Sequence, residues 1–122
     1  MKKIIAGCAI GLVIGLSSQT WAGKDDHVLI QEAAKNVVTV SQAAKMADET
    51  GVTLTGQITK HLKSDHYEFK DSSGTISIEV DDDIWRKAGL KVGDHVRLVG
   101  EVDTHRYKPT DIEVIKIEKH QH

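Results

Sequence analysis

The spacing of apolar residues divides the chain into segments of different character. Behind Met1-Lys2-Lys3, the thirteen residues from Ile4 to Leu16 carry no charge, and the stretch closes at Ser17 to Ala22 with small residues at Thr20 and Ala22. Residues 23–37 are polar, then mixed, with Val28-Leu29-Ile30 as their one apolar cluster and no sustained period. This pattern predicts a loose or short-helical lead-in. Thr39-Val40-Ser41-Gln42 then has the form of a capping box, in which the Thr hydroxyl accepts from the third helical amide and the Gln side chain reaches back. Val40, Ala43, Ala44 and Ala47 follow at i, i+3, i+4 and i+7, predicting an N-terminal helix that ends near Gly51.

Beyond Gly51 the period falls to two. Val52, Leu54, Gly56 and Ile58 alternate with Thr53, Thr55, Gln57 and Thr59, as in a half-buried strand. Tyr67 and Phe69 alternate with Glu68 and Lys70, Asp71-Ser72-Ser73-Gly74 supplies a turn, and Ile76, Ile78 and Val80 continue the alternation, so strands two and three form a hairpin. Asp81-Asp82-Asp83 opens a short helix over Ile84 to Ala88, with acidic residues at its positive end and Gly89 as its stop. Val96, Leu98, Gly100 and Val102 give strand four. Ile112, Val114, Ile115 and Ile117 give strand five, whose phase slips between Val114 and Ile115 and so predicts a bulge or two-sided burial. Five strands with a helix between the third and fourth, and glycines inside strands one and four, match a mainly β, five-stranded Greek-key OB-fold barrel. An SH3-type barrel is the alternative, and it has no need of the helix.

The N-terminal pattern is that of a secretory signal peptide, residues 1–22, cut after Ala22. Its apolar run is well short of the roughly 20 residues that span a bilayer, so no stable membrane anchor is expected. Ile5-Ala6-Gly7-Cys8 resembles a lipobox, but the few residues before it are too short for a signal core. Cleavage at Ala22 removes the only cysteine, which suits an oxidising compartment such as the periplasm without disulfides. The mature chain then reads as a lead-in over residues 23–37 and an OB-fold domain over residues 38–122. It keeps 14 basic and all 18 acidic residues, a net charge of −4 with neutral histidines.

Several pieces of the chain together carry a family resemblance: V-T-L-T-G at Val52 to Gly56, Y-E-F-K-D-S-S-G at Tyr67 to Gly74, Val80-Asp81 with Trp85 four residues on, V-R-L-V-G-E-V-D at Val96 to Asp103, and T-D-I-E-V at Thr110 to Val114. With these the sequence resembles the bacterial OB-fold (BOF) family, the YgiW/YdeI-type periplasmic stress-tolerance proteins. The resemblance implies an exported OB domain that is not an enzyme, that contributes to envelope stress tolerance, and that binds small, including cationic, ligands or envelope proteins rather than nucleic acid, without settling which ligand it is. It brings no catalytic residues.

The residues themselves point the same way. No nucleic acid is expected as a partner, because the chain lacks basic excess and the pattern buries Tyr67 and Phe69, the two aromatics of strand two that would otherwise stack bases. No mature Cys, G-x-S-x-G or phosphate loop is present to support an enzyme or call for a cofactor. Carboxylates gather at the strand ends instead, and Asp81, Asp82, Asp83, Glu101, Asp103 and Asp111 form the candidate acidic surface for a small cationic ligand or a basic peptide, alongside Glu79 and Glu113. Capping and turn chemistry by the same residues is the plain alternative. Calcium-loop spacing is absent. A competing reading places a transition metal on the loop histidines His61, His66 and His105, with Asp65 beside them. Trp85 is expected to plug one barrel end, or to line a ligand pocket.

Overall fold

The computed structural model describes residues 26–120. The expected signal peptide with its cleavage site after Ala22, the lipobox-like Cys8 and the terminal His122 lie outside the described residues.

Eight elements follow in order: α1 (Asp26–Lys35), α2 (Val40–Ala43), β1 (Gly51–Lys63), β2 (His66–Asp71), β3 (Gly74–Glu79), α3 (Asp82–Ala88), β4 (His95–Asp103) and β5 (Asp111–Lys119). The strands close into a barrel in the order β1-β2-β3-β5-β4. All pairings are antiparallel except β3 with β5, which run parallel. With α3 leading from β3 into β4, this is the OB topology expected from the strand pattern. The alternating residues point inward as period-two logic requires. Leu54, Ile58, Phe69, Ile78, Leu98 and Ile112 are fully buried and Tyr67 is 7% exposed. Among the described residues no helix is long and apolar enough to cross a membrane.

The phase slip in strand five is a bulge. Val99 of β4 faces Lys116 while the next residue, Gly100, faces Val114, so Ile115 is the extra residue. Its insertion lets β5 bury Ile112, Val114 and Ile117 on one face and coil tightly around the barrel.

Helices depart further from the pattern. The segment expected to be loose or short-helical holds the ten-residue α1, which buries Leu29 and Ala33. It is tied to β1 by hydrogen bonds from the Thr53 hydroxyl to the Ala33 carbonyl (2.9 Å) and from the Gly51 N–H to the Glu32 carboxylate (2.9 Å). Those bonds are tertiary, so no local period announces them. By contrast α2 has its capping box, with both the Thr39 and Gln42 contacts made, but ends at Ala43 rather than near Gly51. Only Val40 and Ala43 of the alanine stripe are buried, too small an apolar face to hold a longer helix. The chain then tightens through i→i−3 bonds, Lys45 N–H to Gln42 and Met46 N–H to Ala43. It swings into β1 at Glu49 (φ 68°), whose N–H donates to the Val102 carbonyl.

At α3, Gly89 terminates the helix in the left-handed conformation (φ 66°), which a residue without Cβ adopts freely. Asp81 stands at the N-cap but makes no side-chain capping bond, so the expected role of the aspartates as caps is not what holds them there. Asp83 instead pairs with Arg86 one turn on.

Candidate functional site

The barrel wall built from β3, β5 and β4 brings the carboxylates together. On β4 the outward positions are Arg97, Val99, Glu101 and Asp103, and on β5 they begin Asp111, Glu113. Register then sets acid against acid: Glu79 of β3 lies opposite Glu113 of β5, Glu113 lies opposite Glu101 of β4, and Asp111 lies opposite Asp103. Directly opposed like charges destabilise a sheet. Among the described residues no lysine or arginine ion pair reaches Glu79, Glu101 or Glu113.

The electrostatics carry that mark. Partial burial, and then the neighbouring Glu79, Asp103, Asp81 and Asp111, push the Glu113 carboxyl above the usual carboxylate range. Burial, then Glu113, Glu49, Asp103 and Asp48, raise Glu101 likewise. Glu79 is raised by burial and by Asp65, Asp111 and Asp81, against a smaller lowering from His66. A carboxyl held up in this way favours any condition that supplies positive charge beside it.

Two clefts open along this wall. One, of about 300 Å³, is lined by the acidic Asp26 of α1, Asp81, Glu101 and Glu113 together with Leu29, Ile84, Val114 and Ile115. The other, of about 420 Å³, is lined by Ser64, Asp65, Asp81, Asp82 and Asp83. Asp81 borders both. The Val80 N–H donates to the Asp65 carbonyl (2.8 Å), fastening the β1–β2 loop beside the start of α3. Donor oxygens of Asp65, Glu79 and Asp81 consequently lie within 4.8 Å of one another.

The six acidic residues singled out from the sequence thus fall into three neighbouring groups: Asp81 and Glu101 at the first cleft, Asp82 and Asp83 at the second, and Asp103 with Asp111 at the mouth of the β4–β5 loop. Glu79, Asp65 and Glu113 join them through register. Asp48 and Glu49 went unnoticed in the sequence, because only the return of their loop to β4 brings them near Glu101.

His61, His66 and His105 each meet a different neighbour. The His61 ring bonds the Ser64 carbonyl through Nε2 (2.7 Å) and packs on Tyr67 at 4.8 Å between centroids. Nδ1 of His66 lies 3.1 Å from the Asp65 carboxylate. His105 turns back from the β4–β5 loop to Asp111 and Asp103, at 3.3 Å and 3.7 Å. Among the described residues, His105 shares a group of possible metal ligands with Asp103 and Asp111, while His61 and His66 make their contacts within the β1–β2 hairpin. Trp85 stacks on Tyr67 with ring centroids 4.0 Å apart and planes 5° apart, which seats α3 on the barrel end as a plug. With Tyr67 and Phe69 both buried, strand β2 offers no aromatic platform for bases.

The bacterial OB fold (BOF) protein family model matches residues 18–119. The chain belongs to the BOF family. A BOF relative from Escherichia coli (strain K12), YgiW, is 38% identical over 84 residues, covering 69% of this chain and 64% of YgiW. The solved structure of E. coli YgiW superimposes with a TM-score of 0.63 at 39% identity, over 70% of this chain and 90% of that one. The calcium-regulated OB-fold protein CarO of Pseudomonas aeruginosa is 35% identical over 71% of this chain and 76% of its own. An uncharacterised Haemophilus influenzae protein is 29% identical over 98% of both chains. The OB barrel inferred from the strand pattern is thus the BOF barrel.

Proposed function

We propose that this chain is an exported, non-catalytic binding domain of the bacterial periplasm, contributing to envelope stress tolerance by capturing polycationic ligands, basic peptides above all. The observation that carries the reading is the first cleft, which four acidic residues line together with Leu29, Ile84, Val114 and Ile115. A lysine or arginine side chain has the same composition, an alkyl stem that seeks apolar surface and a charged head that seeks carboxylate. The carboxylates set opposite one another at Glu79, Glu113 and Glu101 extend the field beyond the cleft. They steer a cation toward it from several ångströms away. An envelope protein presenting a lysine- or arginine-rich segment would meet the same surface. Phosphate backbones are repelled by it. Export is supported by the signal-type pattern ending at Ala22.

Calorimetry on the mature protein with a short Lys/Arg-rich peptide tests the reading. Wild type should bind, more tightly at low salt, and the D81N/E101Q/E113Q variant should bind about tenfold more weakly, since each removed carboxylate removes part of the attracting field. Equal binding by wild type and variant, or binding indifferent to salt, would remove the acidic wall from the function.

A further inference from the structure

We infer that Asp103, His105 and Asp111 form a divalent transition-metal site at the mouth of the β4–β5 loop. The register that pairs Asp103 with Asp111 sets two outward carboxylates side by side at the strand ends. The loop then folds His105 back between them, so that its Nε2 lies 3.3 Å from Asp111 Oδ1 and 3.7 Å from Asp103 Oδ2. One donor atom from each residue falls within a 4.8 Å cluster.

A second, independent observation aims these atoms at a ligand. Asp111 is 6% exposed, and its Oδ1 makes no hydrogen bond. His105 Nε2 is buried and likewise makes none, because the two atoms are close but misaligned. A buried charged acceptor left without a hydrogen bond costs on the order of 1–3 kcal/mol or more, so such atoms are normally satisfied by something. An ion between them satisfies all three residues at once.

Distance and chemistry fit a particular class of ion. At metal–ligand lengths of about 2.0–2.2 Å, tetrahedral or octahedral geometry sets neighbouring donors about 3.0–3.6 Å apart, so the observed 3.3 Å and 3.7 Å need only a small side-chain adjustment. Two carboxylates balance a double positive charge. One imidazole turns the preference away from calcium and magnesium, which take oxygen donors, toward zinc, copper or nickel. His105 and Asp103 stay 21% and 38% exposed, which leaves coordination positions open on the solvent side. Asp48 accepts from the Thr104 N–H (2.9 Å) and so pins the backbone between the first two donors. This site is separate from the cleft assigned to basic peptides and does not depend on that assignment.

Titration of the untagged mature protein with Zn²⁺, followed by calorimetry and native mass spectrometry, tests it. The expected result is one ion bound per chain by the loop site, with H105A and D111N each weakening that binding at least about tenfold and H61A/H66A leaving it unchanged. Circular dichroism on both single variants separates loss of the site from loss of the fold, and H105A, a less buried change than D111N, keeps the test open should D111N unfold. Three results would overturn the inference: no zinc binding by wild type, full zinc binding by folded H105A, or calcium binding as tight as zinc and equally indifferent to His105.

Discussion

Replacing Glu113 by Gln should make the protein more stable. Glu113 sits in the middle of the acidic row, opposite Glu79 on one side and Glu101 on the other. Each directly opposed like-charge pair costs about 0.2–1 kcal/mol, so relieving two of them should return about 1 kcal/mol at low salt. For a domain of this size that corresponds to a rise of about 4–8 °C in Tm. Screening then supplies the control. In 1 M salt the Debye length falls to about 3 Å, and the advantage of E113Q should shrink to a few tenths of a kcal/mol. Urea unfolding at neutral pH with a chelator present, at 20 mM and 1 M NaCl, measures both numbers. An E113Q protein no more stable than wild type, or a gain that survives high salt unchanged, would refute the claim that this wall is an electrostatic liability kept for binding.

Three further outcomes follow from the packing. At Asp71, partial burial works to raise the carboxyl, but hydrogen bonds from the Ser73 side chain and from the Val40, Ser73 and Gly74 amides prevail and hold it below the ordinary range. Its stabilising effect is therefore present above pH about 4 and lost as pH falls through the lowered folded value, so D71N should cost about 1–2 kcal/mol at pH 7 and progressively less in acid, read by urea unfolding across pH. Gly100→Ala would place a Cβ 2.6 Å from Ile112 Cγ2 and 2.7 Å from the Glu113 carbonyl oxygen, overpacking the bulge at a cost of about 1–3 kcal/mol in thermal unfolding. Trp85→Ala should remove the stack on Tyr67, costing about 2–4 kcal/mol and most of the near-ultraviolet dichroism.

What was legible in the sequence was whatever depends on neighbours along the chain. Alternation of Val52, Leu54 and Ile58, or of Tyr67 and Phe69, reports the barrel face directly, and the slip at Ile115 reports the bulge because an extra residue must shift the phase. The box at Thr39 and Gln42 and the stop at Gly89 are equally local. For α1 the choice between loose and short-helical stayed open, because its support comes from Thr53 and Gly51, far along the chain. The candidate site was half legible. That carboxylates crowd the strand ends could be counted, but that Glu79, Glu113 and Glu101 face one another depends on the parallel β3–β5 pairing, which no local pattern encodes. The same pairing logic, which sets Asp103 opposite Asp111, placed two carboxylates beside His105.

The most direct test of the acidic wall as a cation-binding surface is a ¹⁵N–¹H correlation spectrum of the mature protein titrated with a Lys/Arg-rich peptide. Shift changes should concentrate at Glu79, Asp81, Glu101, Glu113 and Ile115, and fade as salt is raised. Changes centred on the β1–β2 wall, or a spectrum that the peptide leaves unmoved at low salt, would contradict it.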